Sequence, residues 1–276
     1  MNVLSFHLLI ESNHNRFFSG NISSVDDIEA IKAADAVILP QGCRESLYRL
    51  ACRYCTHVFP NYDVFFEYPG KTGQDALFKK MGVPMPKTLS FQDASKFSNI
   101  PLPFSYPFVF KFSWGGEGKN VFLVGSSREL LQCLEKARAW EDQDKTGFVL
   151  QEYIPTDGRS LRVVVIDNNF YSYWRRVDDG GFYTNLARGA YIDHESSPDL
   201  QKRAVEMLRD FCGKTKINLA GFDFLFAARS ANPAPLFLEI NFCFRCHGLG
   251  GVDRYHLLLE QGIKQWLKNL STPEPF

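Results

Sequence analysis

Hydrophobic positions along the chain switch between helical spacing and the short alternating or continuous apolar runs of strands. In the first 68 residues, the start MNVLSFHLLIESNHNRFF reads as a first strand, and Ser24 stands before VDDIEAIKAA with Asp26 and Asp27 in a first helical turn. AVILP (36–40) reads as a short buried strand, Arg44 to Thr56 has helical spacing, and no glycine-rich dinucleotide fingerprint follows the first strand. From Pro69, KTGQDALFKKMGVPMP reads as a helix stopped at Gly82 ahead of Pro84 and Pro86. PFVFKF (107–112) and NVFLV (120–124) read as strands flanking WGGEGK, and Ser126 with Glu129 forms a capping box for a helix through Trp140. FVLQEYI (148–154), RSLRVVVI (159–166) and FYSYWRRV (170–177) are three further strands, the last two joined by an Asp-Asn-Asn turn. An amphipathic helix over Pro198 to Cys212 ends at Gly213, AGFDFLF and LFLEINF pair around the loop Arg229–Pro235, and a final helix runs from Val252 to Leu270. The pattern is α+β, in units 1–68, 69–147 and 148–276, with mostly antiparallel strands in the later two.

Composition narrows the function classes. The 276 residues are 45% hydrophobic, enough for a sizeable core, and 25 phenylalanines point to aromatic packing. Lys+Arg and Asp+Glu are both 31, so neither nucleic acid nor an anionic membrane is an expected partner. No apolar run reaches the roughly 20 residues that cross a bilayer. Seven cysteines, an odd number without regular spacing, together with an opening segment that lacks a basic leader, suggest a reducing cytoplasm.

Four stretches carry candidate chemistry. In the pair AGFDFLF and LFLEINF, a hairpin centred near residue 232 sets Asp223 opposite about residue 241, within a residue or two. Glu239 and Asn241, two apart, share a strand face. Three hard oxygen donors then converge, a set suited to Mg²⁺ or Mn²⁺ shared with phosphates; the plainer alternative is a solvated sheet face. In FKFSWGGEGKNV, Gly115, Gly116 and Gly118 allow backbone N–H groups to fold over phosphates, and Lys111 on the preceding strand can meet a phosphate as a point charge. VLQEYIP can present a strand edge to a purine ring, or be an ordinary core strand. Arg162, Arg176 and Arg188 can each neutralise a carboxylate or phosphoryl group.

Cys243-Phe-Arg-Cys246-His247 matches the C-x-x-C-H spacing of covalent haem attachment, and Cys52-x-x-Cys55 with Cys243 and Cys246 could supply four thiolates to zinc. The absence of an export signal opposes the first. Against the second, Cys52 and Cys55 fall on one helical face among apolar residues, where buried thiols are ordinary.

Lys71-Thr72 followed by MGVPMPKT, then PFVFKFSWGGEGKNVFLV, LQEYIP with GRSLRVVVI, FYTNLARGA, GFDFLF and FLEIN stand in an order that resembles the ATP-grasp superfamily. The likeness is greatest to its RimK-like branch of carboxylate–amine ligases, and it covers Pro69 to Leu270. The resemblance implies an ATP-grasp fold in which ATP lies between two α+β lobes behind a small N-terminal lobe. It implies ATP and Mg²⁺ as cofactors and ligation of a small-molecule or peptide carboxylate to an amine, or a thiol, through an acylphosphate. By the same resemblance Lys71 and Lys111 contact phosphates beneath the Gly115–Gly118 loop. Gln151, Glu152, Tyr153 and Ile154 line the adenine pocket, and Asp223, Glu239 and Asn241 hold the metal. Arg162, Arg176, Asn185 and Arg188 face the acyl phosphate and substrate. A homo-oligomer is compatible with it. The sequence departs from the family pattern after Asn241, where relatives carry small residues and this chain reads Phe242-Cys243-Phe244-Arg245-Cys246-His247. That departure keeps open a second reading, a non-catalytic ATP-binding module of the same fold.

Overall fold

The computed structural model describes residues 1–17, 25–97, 100–115, 120–178 and 180–271, so Ser24, Gly116 and Gly118 lie outside the described residues. The chain begins with a small parallel sheet ordered β2-β1-β3-β4, made of β1 (Val3–Ser5), β2 (His14–Asn15), β3 (Ala36–Ile38) and β4 (Val58–Phe59). Helices α1 (Val25–Lys32) and α2 (Glu45–Tyr54) return the chain to β3 and β4, as parallel pairing demands. Two-residue strands such as β2 and β4 leave no periodic trace, which is why hydrophobic spacing alone does not reveal them. A short helix, α3 (Asp63–Glu67), leads into α4 (Gly70–Met81). Gly82 closes α4 in the left-handed conformation, φ 63°, donating its N–H to the carbonyls of Phe78 and Lys79.

A second sheet, ordered β5-β8-β6-β7, is antiparallel throughout and consists of β5 (Thr88–Phe91), β6 (Phe108–Phe112), β7 (Val121–Val124) and β8 (Phe148–Glu152). The strand at 148–152, placed by linear order with the third unit, therefore belongs to the second sheet, between β5 and β6. Only long-range backbone pairing could reveal that. One face of this sheet buries Phe108, Phe110, Phe112 and Phe148 against Leu130, Cys133, Leu134 and Ala137 of α5 (Ser127–Glu141). Ser126 Oγ accepts the Glu129 N–H at 3.3 Å, and the Glu129 carboxylate accepts the Gly125 N–H at 2.8 Å. The reciprocal bond of the capping box thus reaches one residue further back than the usual pattern.

The third sheet, ordered β11-β10-β9-β12-β13, contains β9 (Arg159–Ile166), β10 (Asn169–Arg176), β11 (Tyr191–Asp193), β12 (Leu219–Leu225) and β13 (Leu236–Asn241). Alternation divides its residues. Leu161, Val163, Val165, Phe222 and Phe224 pack with Ala204, Leu208 and Phe211 of α6 (Pro198–Thr215). Val164, Ile166 and Leu219 pack instead with Leu258, Leu259 and Ile263 of α7 (Val252–Ser271). Helix α6 continues through Gly213 and stops at Lys216, left-handed at φ 61°. Packing of Phe211 and Cys212 on the sheet outweighs the roughly 1 kcal/mol cost of a helical glycine.

Helix α4 docks on β13 through reciprocal bonds: Gln74 Nε2 donates to the Ile240 carbonyl at 2.8 Å and its Oε1 accepts the Ile240 N–H at 2.9 Å. Phe237 joins the same units through its ring, 5.4 Å from Phe78, 5.0 Å from Phe211 and 4.6 Å from Phe224. Phe237→Ala should lower unfolding free energy by about 3–5 kcal/mol, the usual cost of emptying a buried phenylalanine site, measured by equilibrium denaturation.

Candidate active site

Between the two antiparallel sheets lies a cavity of about 320 Å³. Its walls bring together Lys71, Lys111, Gly115, Gln151, Glu152, Tyr153, Ile154, Arg162, Asn185, Asp223, Glu239 and Asn241, residues drawn from each motif that carries the family resemblance.

Strand registers explain the third-sheet wall. Asp223 stands directly opposite Glu239, with Gly221 opposite Asn241, two residues from the pairing that a turn at 232 suggests. The pairing of Leu225 with Leu236 centres the hairpin before residue 232, which accounts for the difference, and a bulge between Asp223 and Phe224 then brings Asp223 opposite Glu239 rather than Leu238. On its other side Asp223 faces Arg162, which in turn faces Tyr173 across β9 and β10. Because alternate residues share a face, this places Arg175, two beyond Tyr173, on the cavity side.

Arg162 and Arg175 grip Asp223 together. Arg162 donates Nε and Nη2 to the two carboxylate oxygens at 2.5 and 2.9 Å, and Arg175 Nη2 meets Oδ1 at 2.7 Å. Burial works to raise the Asp223 pKa, but the two guanidiniums outweigh it and hold the carboxyl below its usual range. Burial likewise works against the Arg162 charge, and Asp223 reverses the effect, so its pKa rises. Asn241 Nδ2 donates to Asp223 Oδ2 at 3.2 Å. Gly221 makes the close approach possible: a Cβ there would stand 2.6 Å from Arg162 Nη1.

The facing wall comes from the second sheet and α4. Lys111 is buried and donates to Gln151 Oε1 at 2.6 Å, while Gln151 Nε2 donates to Thr88 Oγ1 at 2.9 Å. Burial pushes the Lys111 pKa down to about 8; Glu239 opposes the change and the Lys71 charge adds to it. Lys71 Nζ donates to the Gly115 carbonyl at 3.2 Å and lies 3.6 Å from Glu239 Oε1, so one ammonium spans the glycine loop and the opposite sheet. The Tyr183 hydroxyl donates to the Val121 carbonyl at 3.1 Å, and Phe182 packs on Tyr153 with ring centres 5.8 Å apart. The loop carrying Asn185 thereby reaches across to both sides of the cavity.

Two expected residues fall elsewhere. Arg176 lies on the opposite face of β10, with Nη1 3.0 Å from Asp193 Oδ2; its neighbour Arg175 takes the cavity position. The Arg188 guanidinium sits 3.7 Å from the centre of the Tyr183 ring rather than among the cavity-lining side chains. Counting alternate positions from Arg162 through its cross-strand partner would identify Arg175, but only once the register is known. Tyr173, Thr184 and Asn120 also line the cavity and carry no sequence signal of their own.

The segment after Asn241 contributes Cys243, Phe244 and Arg245 to the cavity wall. Burial raises the pKa of the Cys243 thiol, which makes it a poor nucleophile near neutral pH. Cys55 is buried and donates to the carbonyls of Ala34 and His57 at 3.6 and 3.4 Å. Among the described residues no group of three or more His, Cys, Asp or Glu side chains is placed to hold a metal, so the four-thiolate arrangement is not assembled. No helix of the described residues is long and apolar enough to cross a membrane.

Comparison with known proteins agrees with this geometry. The RimK-like ATP-grasp domain family matches residues 71–256. Human N-acetylaspartylglutamate synthase A is 27% identical over 161 residues, covering 55% of this chain and 40% of the human protein. The chain spans less than half the length of the curated relatives it matches. In structure it is similar to D-alanine–D-alanine ligase from Bacillus anthracis complexed with ATP, with a TM-score of 0.63 at 15% identity, covering 94% of this chain and 87% of the ligase. A RimK-domain ATP-grasp protein from Sphaerobacter thermophilus gives a TM-score of 0.58 at 15% identity, covering 83% and 81%. These structural likenesses establish the ATP-grasp fold.

The Lys111 shift has a testable sign. The unfolded chain keeps this proton up to about pH 10.4, whereas the folded protein releases it near 8, so the group favours folding increasingly as pH rises between those values. Thermal midpoints of the wild type relative to Lys111→Met should therefore climb from pH 8 to 10 and stay level below pH 7.

Proposed function

Because the chain belongs to the RimK-like ATP-grasp family, we propose that it is an ATP-dependent ligase joining a carboxylate to an amine through an acylphosphate. The observation that carries this reading is the union, in one cavity, of two lysines from one side with an Asp–Glu–Asn oxygen set and arginines from the other.

A carboxylate is a poor acylating agent because its oxygen leaves badly. Transfer of the ATP γ-phosphoryl group to it gives an acylphosphate and ADP, and attack by the amine then expels phosphate as the amide forms. Lys71 and Lys111 offset the repulsion between the triphosphate and the incoming carboxylate. Burial pushes the Lys111 pKa down to about 8, and added phosphate charge beside it favours the protonated form. Arg162 and Asn185 face the transferred phosphoryl group and the oxyanion formed on amine attack. Gln151 to Ile154 receive the adenine ring, and the loop from Phe182 to Asn185 keeps water from the acylphosphate.

Asp223, Glu239 and Asn241 fit a hard divalent ion, Mg²⁺ or Mn²⁺: each carries an oxygen donor, Asp223 stands directly opposite Glu239, and Asn241 lies two residues along the same strand face. Such an ion supplies charge neutralisation and Lewis acidity at the phosphates. Arg162 and Arg175 pair with Asp223, and Lys71 lies 3.6 Å from Glu239. The substrates are a small-molecule or peptide carboxylate and amine, and the site requires neither nucleic acid nor a membrane.

Release of ADP and phosphate should depend on both substrates together. Lys111→Ala and Glu239→Ala should each reduce it at least ~100-fold, the scale of losing a preorganised charge contact to the transition state, in a coupled ADP assay with folding checked by circular dichroism. Full activity in either variant overturns the assignment.

A further inference from the structure

The hydrogen bonds behind Lys111 can run in one direction only. Thr88 on β5 pairs directly opposite Gln151 on β8, and Gln151 stands diagonally from Lys111 on β6, whose own opposite is Val149. All three side chains are buried. The Thr88 hydroxyl donates to the Pro86 carbonyl at 2.8 Å, and a hydroxyl has a single proton to give. Toward Gln151 its oxygen can therefore only accept, and it does so from Nε2 at 2.9 Å. At the other end of the amide, the Lys111 ammonium can only donate, and it meets Oε1 at 2.6 Å. Both ends demand the same orientation of Gln151, so the amide is locked from two sides.

Helix α4 holds the first link in place. Lys79 Nζ donates to the Thr88 carbonyl at 3.1 Å and to the buried Asp75 carboxylate at 2.7 Å. Asp75 accepts in turn from the Ser90 hydroxyl, two residues along β5. Thr88 itself does not line the large cavity, whereas Gln151 and Lys111 do.

A neutral carbonyl oxygen suits Lys111 in a particular way. A buried ammonium needs an acceptor, yet a carboxylate in that place would pair with it and compete with an incoming phosphate. An amide oxygen solvates the charge without cancelling it. A reversed amide would set two donors against each other in a dry site.

We propose that Thr88 is a positioning residue, which through Gln151 presents a carbonyl oxygen to Lys111 and so keeps the lysine charge in place for a nucleotide phosphate. The phosphate rests on the ligase reading; the locked amide does not.

A double-mutant cycle reads the connection, because Gln151 stands between Thr88 and Lys111. A non-hydrolysable ATP analogue with magnesium is titrated calorimetrically into the full chain. Thr88→Val keeps the shape but offers Gln151 no acceptor, and should weaken binding about 10-fold, the scale of a charge-assisted hydrogen bond. Thr88→Ser should stay close to the wild type, and Thr88→Cys, with a weaker acceptor, should fall between the two. In the Lys111→Met background Thr88→Val should bring no further loss. The same cycle on unfolding free energy, without nucleotide, should show Thr88→Val costing less when Lys111 is Met, since the amide then faces no ammonium. A binding loss equal in both backgrounds, a loss in Thr88→Ser as large as in Thr88→Val, or additive unfolding costs overturns the proposal. If the unfolding cycle is non-additive while the wild type binds no nucleotide, the locked amide stands and the ligase reading falls.

Discussion

The buried cluster of Asp223 with Arg162 and Arg175 is the constraint around which the cavity is organised. Three charged side chains on adjacent strands of one sheet are withdrawn from water and must satisfy one another. Removing one member of such a buried pair costs about 3–5 kcal/mol, because the remaining charge is left uncompensated. The cluster therefore fixes the registers of β9, β10 and β12, requires Gly221 where Arg162 passes, and dictates which arginine of the Arg175–Arg176 pair reaches the cavity. Arg176, on the other face, is left to Asp193.

A second balance ties the two sheets together. Lys71 connects α4 to the glycine loop and to Glu239, while Lys111 is held dry against Gln151. The site so composed stores charge in internal pairs that a ligand can exchange. On the proposed ligase reading, phosphates replace Glu239 at Lys71 and a divalent ion replaces the arginines at Asp223.

Much of the architecture is legible in the sequence because long elements leave strong periodic traces. β9 and the longer helices α4, α5 and α7 fall close to their expected places, since each exposes a repeating apolar face over eight or more residues. The misplacements have local causes. Gly213 reads as a stop signal, yet α6 runs through it because its neighbours are buried on the sheet. Strands of two or three residues, such as β2, β4 and β11, are too short for any periodicity, and β8 joins a sheet other than its sequence neighbours because pairing is non-local.

For the site, Lys111, the glycine hairpin and the Asp–Glu–Asn set stand out by residue type and position, because those residues have few other reasons to interrupt apolar strands, whereas Lys71, on α4, is singled out only by the family resemblance. Which of them meet was a tertiary matter. The pairing of Asp223 with Glu239 depends on a bulge, the choice of Arg175 over Arg176 on the parity of a register shared by three strands, and the position of Arg188 on the ring it stacks against. A sequence specifies alternation along each strand through local geometry. The phase between strands is set by packing and charge pairing across the sheet, and those energies exist only once the chain has folded.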